Sequence, residues 1–324
     1  MVLLKDIKGQ VNPVRYLSGS LSLGRISASY LFSGPSGVGR ALTAKAFLRE
    51  VLFPKGSNDN MFGDSPEVDK LDRMEHPDVK WIVPEKNKSI GIDEIRQIKD
   101  ILYMKPFSAS SNAAVVEDAH MMTPEAANAL LKVLEEPPKN SVIILISDKK
   151  ELLPMTVLSR CSEVRFGRLP EDIAKRIIME TSGADEKTAG FLARVCQGSV
   201  GSALERVDKG FSERQGVLDE LMGSLSGRGK DVFMNWHSEN KDVLIEDIDT
   251  AIVILRDMLF LKEGFTSSML REDLIAGSRG WHIGKRSAGA VYSAIERLVE
   301  IKNALRGNVN PKIAAQALPL SVSW

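Results

Sequence analysis

Residues 30–50, YLFSGPSGVGRALTAKAFLRE, pass from an apolar run through a glycine-rich bend into a helical pattern. Strand, loop, helix is the context in which G-x-x-x-x-G-K-[ST] cradles phosphate. Its glycines let backbone N–H groups curl around the anion, its lysine reaches the β- and γ-phosphates, and its hydroxyl ligates magnesium. Gly34, Gly37 and Gly39 supply the bend here. The lysine position holds Arg40, a planar fork in place of a compact ammonium. The hydroxyl position holds Ala41, which offers a metal nothing, and Thr43, two residues on, faces another side of the helix. The stretch predicts the shape of a phosphate loop with its magnesium chemistry withdrawn. The competing reading is an ordinary glycine turn.

Working outward, short apolar runs alternate with helical patterns as far as residue 168, which predicts an α/β domain built on a mostly parallel sheet. Strands are expected at 30–32, 79–82, 113–116, 142–146 and 163–166. TPEAANALLKVLEEPP (123–138) reads as a helix with Thr123 at its N-cap, Pro124 at the first helical position and Pro137-Pro138 as its stop. Ala126, Leu130, Val133 and Leu134 fall on one face of it. From 169 to 208 the pattern becomes purely helical, in three short pieces separated by TSGADE and CQGSVG, and 209–324 is helical again. Three domains are therefore expected: 1–168, 169–208 and 209–324. In the last, Val291, Ile295, Leu298, Ile301 and Leu305 form one apolar stripe, read as bundle core or a surface between subunits.

Composition narrows the function classes. The 324 residues carry 43 Lys+Arg against 43 Asp+Glu, so there is no global basic field to hold nucleic acid by counterion release alone. No segment reaches the roughly 18 uninterrupted apolar residues of a membrane span, and the start, MVLLKDIKGQ, has neither a basic n-region nor a sustained apolar h-region. A soluble, unprocessed, cytoplasmic chain is expected. Cys161 and Cys196 form no CxxC pair and no disulfide framework.

A second acidic motif accompanies the loop: AAVVEDAH (113–120), an apolar strand ending in Glu117 and Asp118. In working NTPases an Asp at such a strand end supports magnesium, and in many ATPases the next Glu orients water. Here the order is reversed, which displaces each carboxylate by about 1.5 Å, one C–C bond, where geometry must hold to about 0.5 Å. Two acids capping a strand are also a common surface feature.

Together DIKGQ (6–10), YLFSGPSGVGR (30–40), VVEDAHMMTPEAANALLKVLEEPP (115–138), LLPMTVLSRCSEVRF (152–166) and NVNPKIAAQALPL (308–320) closely resemble bacterial DNA polymerase III clamp-loader subunits, AAA+ proteins of replication. The AANALLKVLEEPP helix and the SRC triplet are the most specific pieces. The resemblance implies an AAA+ α/β domain, a small helical lid and an all-α collar that joins subunits into a ring. Within the family, gamma/tau-like chains hydrolyse ATP and keep the Lys and Thr of the loop and an Asp-Glu pair. This chain keeps neither and looks like the delta-prime class, a stator that does not turn over ATP. Members with working sites also carry a lid arginine in GSxRxAL, where GSVGSAL puts Gly201.

The same resemblance assigns roles. Arg160 of SRC matches the arginine finger offered in trans to ATP on the neighbouring subunit, with Ser159 and Cys161 positioning it. Cys161 also reads as a small packing residue, and Arg165 and Arg168 are nearby alternatives. Ser147, ending VIILIS, occupies a phosphate-sensor position or simply caps its strand. Many relatives hold zinc through four cysteines after the loop helix. The matching stretch here (51–78) has none, and His76 is expected at a surface or turn, so no zinc and no cofactor of its own are expected. ATP and magnesium belong to the neighbour. The implied partners are gamma/tau and delta subunits, the sliding clamp and primer-template DNA, with no membrane. Two alternatives remain: a gamma/tau-like ATPase and a free-standing phosphate-loop kinase or repair ATPase.

Overall fold

The computed structural model describes residues 2–54, 66–85, 88–208, 241–262, 287–307, 309–311 and 313–314. Asn308, most of 312–320, the segment 55–65 of the zinc-deficient stretch, and 209–240 lie outside the described residues. The chain divides into two compact units, Met1–Leu204 and Glu205–Trp324.

In the first unit, α1 (Val11–Ser22) leads into β1 (Ser29–Ser33), α2 (Arg40–Leu52), α3 (Pro66–Asp72), β2 (Val79–Ile82), α4 (Ile92–Tyr103), β3 (Asn112–Val116), α5 (Pro124–Glu135), β4 (Ser141–Ser147), a short α6 (Met155–Leu158) and β5 (Ser162–Arg165). The sheet is β2-β3-β4-β1-β5 and every pairing is parallel. β1, β3 and β4 are buried along their whole length. That is why YLF, AAVV and VIILI read as continuous apolar runs without alternation, as strands covered on both faces must. β5 begins one residue earlier than the sequence pattern suggests, because Tyr30 pairs with Ser162.

α5 starts and stops as its residues dictate. The Thr123 hydroxyl accepts the Ala126 N–H at 3.2 Å, Pro124 takes the first helical position, where a missing N–H costs nothing, and the helix ends at Glu135, ahead of the proline pair. Ala126, Leu130, Val133 and Leu134 join Ile143, Leu145 and Val157 in the core.

The sheet order places the functional end. The chain leaves β1, crosses to β2 at the far edge, returns through β3 and β4, and finishes with β5 on the other side of β1. The loop after β1 is thus flanked by the carboxyl ends of β4 and β5, the position at which parallel sheets bind ligands. Helices α7 (Glu171–Ser182), α8 (Glu186–Val195) and α9 (Val200–Asp208) follow.

In the second unit, α10 (Lys241–Lys262) packs on α11 (Ala288–Arg306). Leu244, Ile248, Ala251 and Leu255 are buried in α10, and Val291, Ala294, Leu298 and Leu305 in α11. Ile295 and Ile301 of the expected stripe are half-buried. Lys302 and Asp249 form an ion pair between the two helices. Among the described residues no helix is long and apolar enough to cross a membrane.

Candidate functional site

The glycines after β1 adopt the backbone angles that only glycine takes without strain. Gly34, Gly37 and Gly39 have φ of 140°, 71° and 95°, and Gly39 caps α2 in the left-handed region. Close approach adds a second requirement at two of them. A Cβ on Gly34 would lie 2.2 Å from the Phe166 carbonyl oxygen, and one on Gly37 would lie 2.2 Å from Ser199 Oγ.

The contact at Gly37 closes the loop from above. The Gly201 N–H, in the first turn of α9, donates to the Gly37 carbonyl at 2.8 Å, and Ser199 Oγ donates to the Ser36 carbonyl at 2.9 Å. Gly201 itself has no room for a side chain, since its Cβ would sit 2.8 Å from Gly37 Cα. The helix start and the loop are joined backbone to backbone at this point.

Arg40 is buried, 6% exposed, and its Nη1 finds no hydrogen-bond partner among the described residues. Burial lowers its pKa, with Asp148, Asp118 and Glu117 acting in the opposite direction, so the guanidinium lies in the field of these three carboxylates. Ala41 is half-buried beside it. Thr43 is fully buried and its hydroxyl donates to the Gly39 carbonyl at 2.8 Å, which commits it to the helix backbone.

The remaining groups stand at strand ends. Glu117 accepts the Trp81 indole N–H at 2.7 Å. Asp118 sits at φ 45°, ψ 45°, an uncommon backbone for a non-glycine residue. Ser147 is fully buried; its carbonyl accepts the Gly34 N–H at 3.3 Å, its Oγ accepts the Lys149 N–H at 3.1 Å, and the same Oγ lies 3.2 Å from His120 Nδ1. Below the loop, Ser33 Oγ and Lys150 Nζ donate to Glu163 at 2.7 and 2.5 Å, and Arg165 pairs with it at 2.9 Å. Partial burial pushes the Glu163 pKa up, but Lys150, Ser33 and Arg165 outweigh it and bring it down to about 2.

The SRC triplet follows α6. Arg160 is exposed and held by three acceptors: Glu135 Oε1 at 2.7 Å, the Thr156 carbonyl at 2.8 Å and Ser159 Oγ at 3.3 Å. Cys161 is half-buried against the main core, and burial pushes its thiol up to about 11. Leu152 and Met155, which precede the triplet in the chain, are 62% and 76% exposed.

Two placements were not legible in the sequence. His76 is buried, its Nε2 3.2 Å from Glu67 and its ring edge-on to Phe53, where a surface or turn position was expected. The reason is a local anchor: the Asp78 carboxylate accepts the N–H groups of Phe107, Ser108 and Ala109 and draws that loop over the ring. Asp148 lies outside every quoted motif and His120 closes AAVVEDAH without a role in it, yet both meet Asp118, because β3 and β4 are neighbours and each residue lies just past a strand end. Strand adjacency was the signal that would have found them.

A glycine loop between a buried strand and a helix, at the carboxyl edge of a five-stranded parallel sheet, defines an α/β protein of the phosphate-loop class. The family model described as DNA polymerase III, delta subunit, matches residues 9–170, and the chain belongs to that family. It is similar to the Bacillus subtilis DNA polymerase III subunit delta′, 25% identical over 93% of this chain and 92% of that one. It is also similar to the Bacillus subtilis subunit tau, 27% identical over 97% of this chain. The chain spans 55% of the length of that tau subunit. Among solved structures, a Thermotoga maritima DNA polymerase III gamma subunit-related protein aligns with a TM-score of 0.47 at 20% identity, over 94% of this chain and 98% of that one.

Proposed function

We propose that this chain is a delta-prime-type, non-hydrolysing subunit of a clamp loader, which completes an ATP site on a neighbouring subunit instead of working one of its own. The observation that carries the reading is the state of the loop. Arg40 stands in the lysine position and is buried among carboxylates, Ala41 offers no metal ligand, Thr43 is bonded to its own helix, and Gly201 is bonded to Gly37, where relatives with working sites place an arginine. Each change removes a different part of magnesium-assisted phosphoryl transfer.

Arg160 is the group the chain offers instead. Its partner Glu135 is itself half exposed, and an exposed ion pair holds with only about 0–1 kcal/mol. Exchanging that carboxylate for the charge developing on a transferring phosphoryl group is therefore favourable, and such fingers accelerate hydrolysis by roughly 10³–10⁵-fold. The exposed Leu152 and Met155 give the finger an apolar flank suited to a neighbouring subunit.

On this reading α7–α9 correspond to the lid and 209–324 to the collar. The partners are gamma/tau and delta subunits, with the sliding clamp and primer-template DNA engaged by the assembly, in the cytoplasm. The second reading, a gamma/tau-type ATPase, has the tau similarity in its favour. The two part on magnesium-dependent ATP hydrolysis by the purified chain. The stator reading expects no turnover above background; turnover abolished by Asp118→Ala would establish the motor.

A further inference from the structure

Arg160 is exposed, yet a carboxylate from another element holds it. A guanidinium has five N–H donors in a planar fork, and its two ends are used differently here. Nη1 stays within its own stretch of chain, donating to the Thr156 carbonyl at 2.8 Å and to Ser159 Oγ at 3.3 Å. Nη2 leaves that stretch and pairs with Glu135 Oε1 at 2.7 Å, the one charged acceptor on Arg160 among the described residues. Carboxylate and phosphoryl oxygens suit the same planar fork, so the Nη2 side is where the two kinds of partner compete.

The position of Glu135 is a second, separate observation. It is the last residue of α5, and Glu136 follows as the C-cap, so two carboxylates stand at the negative end of the helix dipole, where acidic side chains are unfavourable. The helix gains nothing from an acid there; the acid serves Arg160. Nor can Glu135 follow the arginine outward. Val133 and Leu134, just before it, are buried in the main core with Val157 of α6, which fixes the backbone that carries the carboxylate. An arginine that reaches a neighbouring subunit leaves Glu135 behind.

We propose that Glu135 is a positioning residue that restrains the finger: it occupies the Nη2 side of Arg160 until a phosphoryl group on the neighbouring subunit displaces it, and so sets how readily this arginine enters that site. The inference rests on the finger role proposed for Arg160 and adds to it a partner that works against it.

The test uses the clamp loader reconstituted with gamma/tau and delta subunits. This chain is supplied as wild type, Glu135→Gln, Glu135→Ala, Glu136→Gln, Arg160→Ala or the double variant Glu135→Gln/Arg160→Ala, each checked for assembly by gel filtration. Without DNA, kcat for ATP hydrolysis is expected to rise roughly two- to fivefold in Glu135→Gln and in Glu135→Ala with KM unchanged, a small effect because an exposed ion pair is weak. Glu136→Gln removes the same charge from the same helix end but leaves the pair intact, and is expected to match wild type. The double variant is expected to match Arg160→Ala. A lowered or unchanged kcat in the assembled Glu135 variants, an equal rise in Glu136→Gln, or a rise that survives the loss of Arg160 overturns the restraint. If Arg160→Ala alone leaves hydrolysis unchanged, the finger reading itself fails, and the restraint with it.

Discussion

Single residues at this site are constrained by neighbours that allow little substitution. Gly201 is the sharpest case, because a Cβ there would meet the backbone of Gly37 and not a side chain that can swing away. Gly201→Ala is expected to cost about 1–3 kcal/mol, the usual range for overpacking, measured as a lowered denaturation midpoint with unchanged slope. An arginine there would force α9 away from the loop.

Glu163 makes a pH-dependent contribution. Its folded pKa of about 2 lies below the ordinary carboxylate value, so its stabilisation is fully present above about pH 4.5 and lost as pH falls through about 2. Glu163→Gln should destabilise the protein by roughly 1–3 kcal/mol at neutral pH, discounted for its partial exposure. It should also flatten the acid limb of the stability profile between those values. Cys161 points the other way. With its thiol at about 11, only about one molecule in a thousand carries the thiolate at pH 8. Alkylation by iodoacetamide should be slow in the native protein and fast after unfolding; rapid native alkylation would contradict the packing seen around it.

At the scale of elements, α5 tests how far local signals carry. Thr123 caps it through a single side-chain bond to Ala126, and Thr123→Ala should cost about 1 kcal/mol in unfolding free energy. This helix and the strands β1, β3 and β4 were legible because their signals are local: continuous apolar runs for doubly covered strands, and a hydroxyl, a proline and a proline pair for the helix. The edge strand β5 was legible only to within one residue, since its start is fixed by pairing with Tyr30 and not by its own composition. The loop's shape followed from three glycines, but its closure by α9 did not. Nothing in GSVGSAL announces that its backbone will bond to residue 37, because that contact spans most of the first unit. The burial of His76 and the approach of Asp148 to Asp118 and His120 were missed for the same reason: each brings together segments far apart in the chain.

On the stator reading, one piece of chemistry is divided between two places in the molecule. The loop at the carboxyl edge of the sheet keeps the glycine bend of a phosphate loop, while Arg160, the proposed finger, stands exposed past α6, paired with the half-exposed Glu135. The proposed division requires an assembly, and the chain belongs to the DNA polymerase III, delta subunit, family. The most direct test is the DNA-stimulated ATPase rate of the clamp loader reconstituted with gamma/tau and delta subunits and this chain, either as wild type or as Arg160→Ala. The account predicts intact assembly with the hydrolysis that depends on this chain abolished; an unchanged rate in a fully assembled complex would contradict it.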